Sequence, residues 1–266
     1  MEQATACVDH AVVAMELEGT GDEAVLSILM RDVGEHLVAE GDTVVPQAQH
    51  ERFLDHLAQL SATFWGFEDA GAALTTMAER LRFFADANVA RELAVAHPPG
   101  PVVAAEAGWR ALRQRAPALA ELAGIVHGEP PVLTAPLAET PATFLHGDWK
   151  MGNLGSHPDG RTILLDWAYP GAGPACWDLC WYLALNRARL PETKEAAVAR
   201  FAADLDRHGV DGAGWFDTQL DLCTVGIMAT FGWEKALGDD DELRWWERRV
   251  AEAVARQDLD LPRPRA

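Results

Sequence analysis

The stretch that decides the reading is 143-TFLHGDWKMGNLG-155, followed within a few residues by 162-TILLDWAYPG-171. The first piece enters as a short apolar strand and breaks into a loop that holds His146, Gly147, Asp148, Lys150 and Asn153. The second is an apolar strand ending on Asp166. Between them a Pro-Asp-Gly turn at 158–160 predicts two short strands around a hairpin. Gly147 and Gly152 are expected to let the loop turn tightly.

A carboxylate, an amide and a second carboxylate in this order suit one chemistry well. Phosphoryl transfer from a nucleotide uses Mg²⁺, which takes hard oxygen ligands, typically one or two from the protein. The Asn153 amide oxygen and the Asp166 carboxylate can supply them. An acceptor hydroxyl must also be oriented and relieved of its proton, which fits Asp148, while the Lys150 ammonium can face the transferring phosphoryl group. Against this stand plain turn roles for Asp148 and Asn153, a solvated Lys150, and a His146 that orders the loop by hydrogen bonds.

Outward from the loop, two β-branched apolar runs, 10-HAVVAMELEG-19 and 23-EAVLSILMRD-32, read as a hairpin joined by the EGTGDE turn. From Pro46 the character changes. Phe53, Leu54, Leu57, Leu60 and Phe64 recur at helical spacing, and helical segments continue to about residue 140, broken at HPPGP and HGEPP. After 170-PGAGP-174 the chain reads as helix again, with Asp239 to Glu242 opening the last one and 256-RQDLDLPRPRA-266 expected to fray. The expected division is a reduced β-rich segment and hinge at 1–45 and a helical body at 46–266.

HGDWKMGN followed by LLDW resembles the catalytic loop and metal-binding segment of the aminoglycoside phosphotransferase and choline kinase-like family, small-molecule relatives of the protein kinases. Asp148 and Asn153 keep the Asp-x4-Asn interval, Asp166-Trp167 replaces Asp-Phe, and Lys150 stands at the catalytic-loop lysine. In 176-CWDLCWYL-183, Asp178 follows Asp166 by twelve residues, matching the family aspartate that opens a helix and braces the loop. VLSILMRDVG resembles the strand entering the hinge, so the resemblance implies adenine against the backbone of Met30, Asp32 and Val33. It also implies an α+β, protein-kinase-like two-lobe fold with a reduced β-rich N-terminal lobe and a large, mainly helical C-terminal lobe. The implied activity is transfer from ATP or GTP, with Mg²⁺, to a small-molecule hydroxyl. An A-P-E segment after Asp166 is absent, which sets protein kinases aside.

One part of the family pattern is missing. Nine residues precede HAVVAMELEG, and no Lys or Arg stands before Arg31, where a Gly-rich hairpin, a lysine strand and a glutamate helix are expected. The alternatives are an internal start, a short active form, or a non-catalytic small-molecule binding protein on the same scaffold.

Composition narrows the partners. At −19 formal charge, with 22 Lys+Arg against 41 Asp+Glu, a nucleic-acid partner is not expected. A 49% hydrophobic content supports a sizeable core. There is no signal peptide and no apolar run of about 18 residues, so no membrane partner is expected either. Cys176 and Cys180, one helical turn apart, read as core residues rather than a metal pair. A reduced, cytoplasmic protein is the expectation.

Overall fold

The computed structural model describes residues 6–21 and 24–264. The two apolar runs near the start pair as an antiparallel hairpin, β2 (Val12–Glu18) with β3 (Val25–Met30), Met15 opposite Ile28 and Leu17 opposite Leu26. Asp22 and Glu23 of the connecting turn lie outside the described residues. One face of this hairpin carries Val13, Met15, Leu17, Leu26, Ile28 and Met30, all 42–67% exposed, so it adds nothing to the core.

A second sheet has the order β1-β6-β5, from β1 (Val8–Asp9), β5 (Leu154–Ser156) and β6 (Thr162–Leu164). β5 and β6 form the expected hairpin around the Pro-Asp-Gly turn, antiparallel with Leu154 opposite Leu164. β1 adds parallel to β6, so the first described strand belongs to the hairpin that ends at Asp166. The third sheet pairs β4 (Thr143–Leu145) with β7 (Gly171–Gly173). Sequence reading took PGAGP only as a break. β7 has no side-chain pattern, and glycine is what lets it approach, since a Cβ on Gly171 would collide with the Thr75 carbonyl.

The helical body begins with α1 (Gln47–Thr63), which starts after Pro46 and buries Phe53, Leu54, Leu57 and Leu60, as their spacing predicts. Then come α2 (Met77–Leu81), α3 (Asp86–Leu93), α4 (Gly100–Arg115), α5 (Pro117–Gly128) and α6 (Pro131–Ala138). After the β segments follow α7 (Cys176–Leu185), α8 (Lys194–Arg207), α9 (Phe216–Leu237) and α10 (Asp240–Arg256). α9 is the axis, packed by α2, α4, α5, α6, α7 and α10. Asp239 caps α10, its Oδ1 accepting the Glu242 N–H at 2.8 Å.

The tail corrects its expectation. Leu261 is buried and Leu259 packs on the core, while Arg256 makes a paired hydrogen bond to Asp221. Two apolar side chains and an ion pair hold a segment that looked too polar to stay down. All four cysteines are free and buried. Among the described residues no helix is long and apolar enough to cross a membrane.

Candidate active site

β4 delivers the chain into the loop at His146, and the loop is held from beneath by α7. Asp178, in the first turn of α7, accepts the backbone N–H groups of His146 at 2.9 Å and Gly147 at 3.0 Å. Burial raises the pKa of this carboxyl to about 6, against the opposing pull of the Arg80 guanidinium. Gly147 takes φ +84°, where a side chain is strained, and its Cα faces Arg80 and the Tyr169 carbonyl. Arg80 is wholly buried and donates from Nη2 to that carbonyl at 2.6 Å, while its Nε and Nη1 make no hydrogen bond within the structure. A guanidinium therefore lies between the loop and the segment that follows Asp166.

His146 uses both ring nitrogens. Nε2–H donates to the Leu165 carbonyl at 3.0 Å and Nδ1 accepts the Asp148 N–H at 3.2 Å. Burial lowers its pKa to about 4, so the ring is neutral near pH 7 and has no free nitrogen for proton transfer.

Asp148, Lys150 and Asn153 come together. The Asp148 carboxylate is almost fully buried. Its Oδ2 accepts from Lys150 Nζ at 2.5 Å and from Asn153 Nδ2 at 2.8 Å, and its Oδ1 accepts from Trp181 Nε1 at 2.8 Å. Asn153 Nδ2 also donates to the Asp148 carbonyl at 2.9 Å. With the nitrogen end of the amide fixed there, the carbonyl end is the one left for a cation. Lys150 is the half-open member of the group, its side chain 35% exposed.

Asp166 lies just past β6, with Leu165 between. The Leu165 N–H donates to the Asn153 carbonyl at 2.9 Å, so the β5–β6 pairing sets Leu165, the residue before Asp166, opposite Asn153. Asp166 itself is exposed and stands at φ +61°, a left-handed conformation that is uncommon for any residue but glycine. One carboxylate and one amide oxygen form a donor set suited to Mg²⁺ completed by phosphate oxygens. Among the described residues no group of three or more His, Cys, Asp or Glu forms a cage for a metal.

The hinge residues reach the same sheet. Leu37 bridges to Gly155, and the Val38 N–H donates to the Leu154 carbonyl at 2.9 Å. Val33 is buried with Ala11 and Ile163, so its side chain is committed to packing. Asp32 is exposed, its Oδ1 accepting the Gly34 N–H, and Met30 is exposed at the end of β3.

Several residues that sequence reading passed over belong to the site. Arg80 and Trp181 are two, and Asn186 is a third. Its Oδ1 accepts the Met151 N–H at 3.0 Å while its Nδ2 donates to the Tyr182 carbonyl, tying the loop to the end of α7. Gly152 is a correction. It lies in a 3₁₀ turn at Met151–Asn153, outside the left-handed region, with Lys150 Cε as its nearest neighbour at 3.8 Å, so the loop does not need glycine there.

A cleft of about 480 Å³ opens beside the segment after Asp166, with Thr75, Glu79, Phe83, Asn88 and Tyr169 among its walls. The Phe83 ring lies 4.9 Å from that of Tyr169 and edge-on to Trp181. A second crevice of about 320 Å³, between α8, α9 and α10, includes no residue of the loop.

Comparisons with known proteins give the family of the chain. Residues 8–215 match the family model described as APH, phosphotransferase enzyme family, and the chain belongs to that family. Among solved structures, a microcompartment-associated aminopropanol kinase aligns at 14% identity and TM-score 0.52, over 95% of this chain and 77% of that one. A macrolide 2′-phosphotransferase type I aligns at 15% identity and TM-score 0.43, over 94% and 74%. The choline kinase LicA from Streptococcus pneumoniae aligns at 13% identity and TM-score 0.42, over 91% and 74%. At that identity the likeness to the aminopropanol kinase is one of fold, a protein-kinase-like arrangement with a small N-terminal sheet lobe and a helical C-terminal lobe. No curated protein matches the chain.

Proposed function

We propose that this protein transfers the γ-phosphoryl group of ATP or GTP to a hydroxyl of a small molecule such as an aminoglycoside-like compound, an amino-alcohol or a sugar. The observation that carries the reading is the Asp148 carboxylate, buried yet bonded to both Lys150 and Asn153, with Leu165, the residue before Asp166, bonded to the Asn153 carbonyl. Family membership supports the reaction class. Residues 1–45 would form the nucleotide side with the hinge at Met30, Asp32 and Val33, and residues 46–266 the helical body.

In this reading Asp148 orients the acceptor hydroxyl and takes its proton. The acceptor oxygen bonds to the γ-phosphorus as the bond to the β-phosphate oxygen breaks, and a nucleoside diphosphate leaves. Lys150 faces the transferring group. Mg²⁺, held by the Asn153 amide oxygen and Asp166, would supply neutralisation of the phosphate charge. His146 and Asp178 keep the loop in shape. The cleft beside Tyr169 suits the acceptor, because Phe83 links it through Trp181 to Asp148.

One observation favours a second reading, a non-catalytic small-molecule binding protein. Arg31 is the one Lys or Arg in residues 1–45, and it pairs with Asp9, so this segment supplies no other cation of its own for nucleotide phosphates. Calorimetry of Mg²⁺-ATP and Mg²⁺-GTP binding decides between the two. Binding that is lost in Asp166→Ala and kept in Asp148→Ala, with transfer lost in both, supports the kinase. Absence of nucleotide binding by the wild-type chain sinks it.

A further inference from the structure

Three donors converge on Asp148, and they are unequal. Lys150 sits on a flexible, part-exposed stem, and together with Asn153 it binds Oδ2. Oδ1 has a single donor, the indole N–H of Trp181 at 2.8 Å. That donor is rigid. Trp181 is buried, with Phe231 edge-on at 4.6 Å between ring centroids and Trp177 at 6.4 Å, so the ring has no room to turn. An indole N–H only donates and does not titrate near neutral pH, so it offers Oδ1 the same contact whatever the neighbouring groups bind.

Its place on α7 matters as well. Trp181 is three residues beyond Asp178 and so shares its helix face. One face of one helix thus holds the loop backbone through Asp178 and the loop carboxylate through Trp181. Lys150 and Asn153 cannot substitute, because the proposed reaction gives each another task, at the phosphoryl group and the metal.

We propose that Trp181 is a positioning residue that fixes the rotamer of Asp148 by holding Oδ1, and so sets how the carboxylate meets the acceptor hydroxyl. This rests on the kinase reading for its consequence in turnover, but the contact itself can be tested without it. Removing a hydrogen bond to a charged group that orients the carboxylate is expected to lower turnover roughly tenfold to hundredfold. The KM for nucleotide is expected to stay within about twofold, because the hydrogen bond and ring contacts of Trp181 run to Asp148, Phe83, Trp177 and Phe231.

Two measurements test it. The first uses ¹⁵N-indole spectra of the wild-type chain, with the Trp181 resonance assigned by its loss in Trp181→Phe. The Trp181 N–H is expected to exchange slowly and to shift in Asp148→Ala; fast exchange, or no response to Asp148→Ala, overturns the proposal even if Trp181→Phe does not fold. The second compares nucleotide turnover, with water or a screened alcohol as acceptor, in wild type and Trp181→Phe. A fall in kcat at unchanged KM, with melting within a few degrees, supports positioning. Unchanged kcat, or a parallel loss of kcat and nucleotide affinity, overturns it. A wild-type chain that turns over nothing counts against the kinase reading, and the spectra then decide the contact alone.

Discussion

Gly147→Ala and Gly152→Ala change two glycines of one loop in the same way, and the structure separates them sharply. At position 147 the backbone has φ +84°, and a methyl group would collide with both Arg80 Nη1 and the Tyr169 carbonyl. The left-handed conformation costs about 1–2 kcal/mol with a Cβ. The collision costs about 1–3 kcal/mol more, because the neighbours are backbone and a buried guanidinium rather than a flexible tip. Displacing Arg80 also weakens its bond to Tyr169, a charge-assisted hydrogen bond of about 1.5–3 kcal/mol. The combined loss is on the order of 5 kcal/mol, a large part of the roughly 5–15 kcal/mol available to a domain. For a chain of this size that lowers the melting temperature by roughly 10–20 °C. At position 152 the nearest atom is 3.8 Å away and the backbone is ordinary, so alanine stays within about 0.5 kcal/mol. Thermal melts followed by far-UV circular dichroism measure both. If Gly147→Ala melts within about 3 °C of Gly152→Ala, the placement of Arg80 against the loop is wrong.

Other expectations follow from the same residues. Asp178 has its pKa raised to about 6 in the fold, from 3.8, so the folded state holds the extra proton between those values. Its contribution to stability is therefore fully present below about pH 4 and falls as pH rises through about 6, by up to about 3 kcal/mol. Urea titrations of wild type and Asp178→Asn at several pH values should show their stability difference shifting in that direction, and a constant difference would contradict the assignment. Asp166→Gly relieves a left-handed aspartate and is expected to raise stability by about 0.5–1 kcal/mol while removing Mg²⁺-dependent nucleotide binding, read by melting and calorimetry. Ile28→Thr, on the exposed face of the hairpin, is expected to cost less than about 0.5 kcal/mol. Leu57→Ala, in the core, costs about 2–5 kcal/mol by denaturant unfolding.

What was legible in the sequence is what depends on neighbours along the chain. The β2–β3 hairpin, the apolar face of α1, the Asp239 cap and the β5–β6 hairpin each rest on patterns a few residues long. Asp148, Lys150 and Asn153 meet for the same reason, since eight residues span the whole loop. What escaped depends on distant partners. β7 is glycine and alanine, and exists because β4 needs a backbone partner where only a small residue can pass Thr75. Arg80 lies 67 residues before Gly147 in the chain and Asn186 lies 35 after Met151, and nothing in their local sequence marks either. Trp181 had a faint signal in its spacing from Asp178, hidden among ten tryptophans that mostly fill the core.

These long-range contacts brace the two segments that carry the exposed, strained Asp166 and the buried, bonded Asp148. Asp148 is held by α7, through Asp178 below the loop and Trp181 at its carboxylate. Asp166 is held by the β5–β6 pairing behind it and, three residues on, by the Tyr169 carbonyl bonded to Arg80 of α2. Gly147 is where the two supports meet, with Asp178 bonded to its N–H and Arg80 against its Cα. A guanidinium and a carboxylate buried on either side of one glycine are costly to desolvate, and a core of apolar side chains would pack there with less penalty. Apolar side chains, however, offer no directional bond to the Tyr169 carbonyl or to the loop amides. The buried charges thus give up stability for directional bonds that brace the two aspartate-bearing segments from either side of Gly147.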